Sequence, residues 1–518
     1  MKSFLCILLT SLIWYTSGTK DFFYGRRVGG NLPPPDNVPI SRAITTKYFD
    51  QILDHFDPTN QQTFKQKYFV NEEFSNKETR NVAFLFIGGE SPASLSWMSS
   101  GSWINSATEY NALCFMLEHR YYGESQPFNE LTTKNLKYLT SQQAIDDLAT
   151  FIVAMNKEYA LAKDVKWIVF GGSYAGSLAA WLRQKYPHLV QGAVASSGPL
   201  LAIVDFKEYM KVVADDLVNL HSQNCANTVQ TAFQQLENNL GNSTIDSLFK
   251  FCTPSSNSLN NTMDIANLFE AIAYGFASIA QYNSPRTAVT INYLCDLMTK
   301  NSSQTELEKL AVVSKIWYGN SCIDYLHVNN VKYLQNSILT GAAVSSGMRQ
   351  WMYQTCTEFA FYQTSTQNTP VFGTRFPIET FVQLCADVYG SEIDAAYLDR
   401  VVARTNRIYG GYNIKHTNVV HVHGSVDPWH PLGIYETTDE SVSAILINGT
   451  SHCYDMYGTH ISDSVELTSV RKIVHDLIGS WLTEQPDPEH DTANILNVNK
   501  SFICSVLLIT LLFQVVNF

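Results

Sequence analysis

Residues 167–170 (WIVF) run without a break into Gly171-Gly172-Ser173-Tyr174-Ala175-Gly176, and a helical stretch, residues 177–186 (SLAAWLRQKY), follows. A short buried strand, a tight turn of small residues and a helix make the setting of a nucleophile elbow, which lifts a serine to the tip of the turn. Crowding around that tip demands Gly or Ala at the flanking positions, and Gly171 and Ala175 supply them. Ala175 exceeds the strict G-x-S-x-G pattern by one methyl.

A serine hydroxyl is a poor nucleophile until a base takes its proton. On this kind of sheet the partners follow the serine in the order acid, then histidine, each just past a strand. Residues 418–422 (NVVHV) lead through His423-Gly424-Ser425-Val426 to Asp427, and residues 444–447 (AILI) lead through Asn448-Gly449-Thr450-Ser451 to His452. The order and the strand-end positions together predict Ser173, Asp427 and His452 as a catalytic triad. An oxyanion needs two backbone donors. The expected ones are the N–H of Tyr174 and one from Gly88-Gly89-Glu90, the loop after residues 82–87 (VAFLFI), with Gly89 the choice. Glu90 beside it would either receive a substrate's amino group or cap a helix.

Other residues compete for these roles. His421 and His423 lie two apart on one strand and share a face, which could suit a metal, but no further ligand stands at matching spacing. No metal and no cofactor are therefore expected. His430 shares the Asp427 loop, and Asp439 and Asp455 are expected as surface or helix-capping acids.

Working outward, strand-like runs at residues 82–87, 112–117 and 167–170 alternate with helical patterns such as residues 139–156, which implies a parallel sheet with helices on both faces. From 204 to 405 the periodicity is mostly helical, and strands return only at 418–422 and 444–447 before a last amphipathic helix near 464–482. The fold class is thus α/β, a hydrolase core at 45–203 and 406–484 interrupted by a helical cap at 204–405. About 250 residues separate Ser173 from Asp427, far more than two strand–helix units of roughly 30 residues each would use. The surplus leaves the core at the sheet edge where ligands bind, so the cap should roof the serine.

The first 18 residues read as an export signal: Lys2, an apolar run from Phe4 to Trp14, then Thr16-Ser17-Gly18. Residues 19–44, rich in Gly and Pro, read as an extended lead-in or propeptide. Setting aside Cys6 and Cys504 leaves eight cysteines, an even number without a CxxC pair, which predicts up to four disulfides. N-x-S/T triplets at Asn242, Asn260, Asn301, Asn448 and Asn499 agree with a secretory route and glycosylation. Residues 485–518 form a linker and an apolar tail (501–518). Three readings of it stand: a lipid-anchor signal giving membrane attachment, a short membrane helix, or a tail packed on the protein.

The chain has 518 residues, 45% hydrophobic and 16% charged, enough apolar material for a full core and long enough for two domains or one with a large insertion. Its net charge of −12 would repel a phosphate backbone, which argues against a nucleic-acid partner. Composition leaves assembly into oligomers open.

Several segments together resemble one family. Residues 51–56 (QILDHF), 87–90 (IGGE), 118–125 (EHRYYGES), 171–181 (GGSYAGSLAAW), 351–364 (WMYQTCTEFAFYQT) and Asp427-Pro428-Trp429 are similar to lysosomal Pro-Xaa carboxypeptidase, dipeptidyl peptidase II and thymus-specific serine protease. Gly449-Thr450-Ser451-His452-Cys453 resembles the histidine loop of the thymus-specific branch. The resemblance implies a secretory-pathway serine exopeptidase acting on short peptides, with an α/β-hydrolase core and a helical roof. It implies cleavage next to proline from either chain end, and it puts the triad on the same three residues. Glu90, Trp351, Gln354, Glu358, Phe361 and Trp429 are the candidates for substrate contact. Two alternatives remain, an esterase or lipase on the same fold and a catalytically silent binding protein. Destinations consistent with the signals are secretion, the lysosome or the cell surface.

Overall fold

The computed structural model describes residues 22–23, 26–365 and 370–484. The export signal, Asn499 and the apolar tail lie outside the described residues. Among the described residues no helix is long and apolar enough to cross a membrane.

Eight strands form the central sheet: β1 (Ile44–Ile52), β2 (Thr63–Asn71), β3 (Val82–Ile87), β4 (Leu113–Leu117), β5 (Lys166–Gly172), β6 (Gly192–Ser196), β7 (Val419–Gly424) and β8 (Val442–Ile447). Their spatial order is β8-β7-β6-β5-β3-β4-β2-β1. From β4 to β8 every pairing is parallel, whereas β2 runs antiparallel to both β1 and β4. The parallel strands are continuous apolar runs because helices cover both their faces; β4, for example, is buried at every position. β1, at the edge, is exposed at five of its nine positions and fully buried only at Gln51.

One face of the sheet packs on helices Ser141–Glu158 and Tyr174–Lys185, the other on Ser102–Glu109 and Val465–Thr483. The second contact is close: a Cβ on Gly192 of β6 would fall 2.3 Å from the Trp481 ring. This is an α/β-hydrolase core.

Between β6 and β7 lies the helical insert, which opens with Lys207–Asn219 and Gln223–Asn238 and ends with Ala395–Tyr409. Its spine is Thr262–Gln281, apolar nearly all round and buried along almost its whole length. A short parallel ladder, Ile203–Asp205 with Ala360–Tyr362, ties the insert's start to its later part. Of the up to four disulfides expected, three form among the described residues: Cys225–Cys295, Cys252–Cys322 and Cys356–Cys385, all within the insert. Cys114, inside β4, and Cys453, beside His452, stay as buried thiols.

Candidate active site

Ser173 stands where β5 turns into helix Tyr174–Lys185, with φ +59° and ψ −133°. A positive φ in a residue with a side chain is strained, and such strain persists only where the surroundings enforce it. They do so here. A Cβ on Gly171 would lie 1.9 Å from the Ala175 carbonyl oxygen, and one on Gly176 2.6 Å from that of Ser196. The extra methyl of Ala175 fits because its neighbour across the turn is Gly89, 3.4 Å away even if given a Cβ.

Asp427 follows the end of β7 and His452 the end of β8. The Asp427 carboxylate meets His452 Nδ1 with both oxygens, at 2.9 and 2.8 Å, and also accepts the Trp429 N–H at 3.0 Å. Acid and base are both fully buried. Burial disfavours the imidazolium, but the charge of Asp427 outweighs it and holds the His452 pKa well above the ordinary 6.5. Burial likewise opposes the Asp427 carboxylate, and His452 reverses this, leaving its pKa below the usual value. His452 Nε2 has no hydrogen-bond partner, so the bond to a serine that a base would make is open in this conformation. The two loops touch one residue away: a Cβ on Gly172 would lie 3.1 Å from Cys453 Sγ.

The N–H of Gly88 is taken by the Leu117 carbonyl at 2.9 Å, which leaves Gly89 as the donor of that loop nearest the elbow. Behind Tyr174 runs a directed chain of hydrogen bonds. Tyr122 Oη donates to Gln354 Oε1 (2.7 Å), and Gln354 Nε2 donates to Tyr174 Oη (3.1 Å). His119 Nδ1 bonds the Arg120 carbonyl (2.7 Å), so its neutral Nε2 accepts from Tyr174 Oη (3.1 Å). Burial pushes the His119 pKa down to about 4, which keeps it in that neutral form.

The insert reaches the base directly. The carbonyl of Gln281, the last residue of the spine helix, accepts the His452 N–H at 3.0 Å, and the Tyr282 ring stands edge-on to the imidazole. Trp429 Nε1 donates to Gln281 Oε1 at 3.0 Å.

The candidates for substrate contact divide. Trp351 and Phe361 are buried, Trp351 against Tyr174 and Phe361 edge-on to Trp429, and the three rings Trp351, Phe361 and Trp429 line one small apolar cavity. Gln354 is fully buried and holds Tyr174. Glu358 departs from the expectation: both its oxygens accept from Ser141, one from the N–H (2.8 Å) and one from the hydroxyl (3.0 Å), so it tethers the start of helix Ser141–Glu158. Trp351, Gln354, Glu358 and Phe361 do not share one regular helix. Met348–Gln354 is α-helical, Thr355–Phe359 widens into a π-turn, and Ala360 and Phe361 turn to positive φ. Glu90 is buried at the site, its Oε1 accepting the Asn31 N–H at 2.9 Å.

His421 Nε2 lies 2.9 Å from His416 Nε2, and His423 packs over Gly433, where a Cβ would fall 1.9 Å from its ring. Among the described residues no group of three or more His, Cys, Asp or Glu is placed to hold a metal. His430 Nδ1 bonds the Asp427 carbonyl oxygen (2.8 Å), and Asp439 caps the turn at Ser441. Asp455, expected at the surface or a helix cap, is instead buried under Ser196, and burial pushes its pKa up to about 6. Arg26, Asn31, Gln281, Tyr282 and His119 went unremarked in the sequence; only His119 lay in a segment carrying the resemblance. Asn242, Asn260, Asn301 and Asn448 are all exposed.

Comparison with known proteins gives a match to the family model of serine carboxypeptidase S28 over residues 51–474. The thymus-specific serine protease of Mus musculus is 34% identical, over 84% of this chain and 87% of its own. That of Homo sapiens is 31% identical, over 84% and 86%. The lysosomal Pro-X carboxypeptidase of Bos taurus is 26% identical, over 93% and 97%.

Proposed function

Since the chain belongs to the serine carboxypeptidase S28 family and is a serine-type peptidase, we propose that it is an exopeptidase for short peptides, cleaving next to proline through Ser173, His452 and Asp427. The observation that carries this reading is the two-oxygen grip of Asp427 on His452 Nδ1, which fixes the imidazole with Nε2 as its remaining nitrogen.

In this mechanism Ser173 Oγ attacks the scissile carbonyl while His452 Nε2 takes its proton, and Asp427 stabilises the imidazolium that forms. The amides of Tyr174 and Gly89 hold the oxyanion. His452 gives the proton to the departing amine, and water then releases the acyl group by the same steps in reverse. A preference for proline is supported by the bovine relative's name. A route through the secretory pathway is supported by the export-like start, the disulfides and the exposed glycosylation triplets.

The test is a panel of Xaa-Pro-amides, Pro-Xaa peptides and short esters, run beside a fluorophosphonate that labels active serines. Labelling of Ser173 with turnover of the proline peptides supports the reading. Turnover of the esters alone replaces it with an esterase, and absence of labelling and turnover both before and after proteolytic removal of the segment preceding Ile44 replaces it with a silent binding protein.

A further inference from the structure

The space in front of the elbow is filled by the chain itself. Short strands Phe22–Phe23 and Arg26–Arg27 pair, and the backbone then runs along the site to Pro34. Arg26 is fully buried: Nη1 donates to the Ser346 carbonyl (3.1 Å) and Nη2 to the Glu90 carbonyl. Gly347, at φ +77°, leaves room for that guanidinium, since a Cβ there would stand 2.7 Å from Nη2. Asn31, 1% exposed, gives its N–H to Glu90 Oε1 (2.9 Å), and its side-chain oxygen accepts from Gln281 Nε2 (3.3 Å) and Tyr282 Oη (3.2 Å). Leu32 reaches within 3.1 Å of where a Gly172 Cβ would be, and the Pro33 carbonyl accepts from Tyr457 Oη at 2.7 Å.

These partners are the neighbours of the reacting groups. Glu90 follows the oxyanion glycine, Gly172 precedes the nucleophile, and Gln281 and Tyr282 flank the base. With this segment in place Ser173 is 4% and His452 3% exposed. A segment serving only as a lid would bury apolar side chains; this one buries a guanidinium and an amide, groups costly to desolvate unless a site is shaped for them. Beyond it, Pro34, Asp36, Asn37, Pro39, Ile40, Arg42 and Ala43 are exposed, open to an endopeptidase. No disulfide among the described residues ties 26–34 to the body of the protein.

We infer that residues 26–34 are a tethered occupant of the substrate cleft, that the peptidase stays latent until an endopeptidase hydrolyses one peptide bond in the exposed stretch after them, and that the Glu90 site they vacate takes the ammonium group of a peptide's N-terminus. This rests on the catalytic reading above and deepens it, since a site for the free amine directs the enzyme to release N-terminal fragments.

The experiment uses the full chain with residues 37–40 replaced by the recognition sequence of a specific endopeptidase. Fluorophosphonate labelling and hydrolysis of an Xaa-Pro-amide are followed before cutting and after the fragment has been removed and its loss checked by mass. Cutting should raise both rates at least tenfold, and a synthetic peptide of residues 26–34 should reverse the gain, while the same peptide carrying Arg26→Ala should need at least tenfold more. Asn31→Ala in the uncut chain should label faster than the parent. Equal rates before and after removal overturn the tethered occupant; no labelling in either form overturns the catalytic reading and the occupant with it. For the amine, the cut enzyme should favour a free over an N-acetylated Xaa-Pro-amide at least tenfold in kcat/KM, and Glu90→Gln should erase that preference. Equal use of the two substrates, or a preference untouched by Glu90→Gln, overturns the ammonium site.

Discussion

Gln354, on the insert, donates to the phenol of Tyr174, the residue directly after the elbow serine, across 3.1 Å. Since the backbone N–H of Tyr174 is the proposed oxyanion donor, the insert helps to set an atom of the reaction from behind. Gln354→Leu keeps the volume and removes the hydrogen bond. It should lower kcat about tenfold with little change in KM, because misplacement of a donor is felt mainly in the transition state. Steady-state kinetics check this; a rise in KM alone would assign Gln354 to substrate binding.

Ser173→Ala should reduce kcat roughly 10³-fold or more, and Asp427→Asn by a similar factor through the wrong imidazole tautomer. Ser173→Ala should not shift the thermal midpoint by more than a few degrees. A purified Ser173→Ala protein with a tenth of the parent activity would exclude Ser173 as the nucleophile.

The pH profile follows from the His452 environment. The base works only when neutral, and Asp427 holds its pKa above 6.5, so a protonated, inactive fraction persists to higher pH than for a free histidine. The acid limb of kcat/KM should therefore have its midpoint above pH 6.5 and move down in Asp427→Asn, where residual activity permits the measurement. A midpoint below 6 in the parent contradicts the assignment.

Stability should show its own pH dependence. Burial raises the folded pKa of Asp455 to about 6, of Glu358 to about 7 and of Asp216 to about 9, all above the carboxyl range of an unfolded chain. Protons held only by the folded state stabilise it at low pH, and that contribution is lost as pH rises through these values. His119 and His423, both near 4, act in the opposite sense: below about 6.5 the unfolded chain binds protons that the folded chain refuses. The trends offset one another near pH 5 to 6, and only the loss remains above 6.5. The unfolding free energy should thus fall between pH 6.5 and 9, on the order of 1 kcal/mol per pH unit, and the melting midpoint with it; a midpoint that rises over that range refutes the account.

The core was legible in the sequence because its signals are local. Each triad candidate sits at the end of its own short apolar run, and a run of that kind needs only its neighbours to be recognised. What escaped depends on contacts between distant segments. Asn31 meets Glu90, Gln281 and Tyr282 across as many as 251 positions, and two of the three disulfides close over 70. The substrate contact expected of Glu358 was misread for a different reason: Glu358 lies inside a π-turn, Thr355–Phe359, that interrupts the α-helical spacing of Met348–Gln354, and there it meets Ser141. Nothing in residue type marks such a turn in advance.

The bond from the His452 N–H to the Gln281 carbonyl carries a consequence for biosynthesis. The imidazole loop is braced by a helix end that belongs to the insert, and the insert is the part crosslinked by oxidation. A nascent chain whose cysteines are still reduced can own a formed sheet and a formed serine turn while its base remains unbraced. Closing the crosslinks is therefore a step that the base waits for and the serine turn does not, and it precedes the proposed removal of residues 26–34.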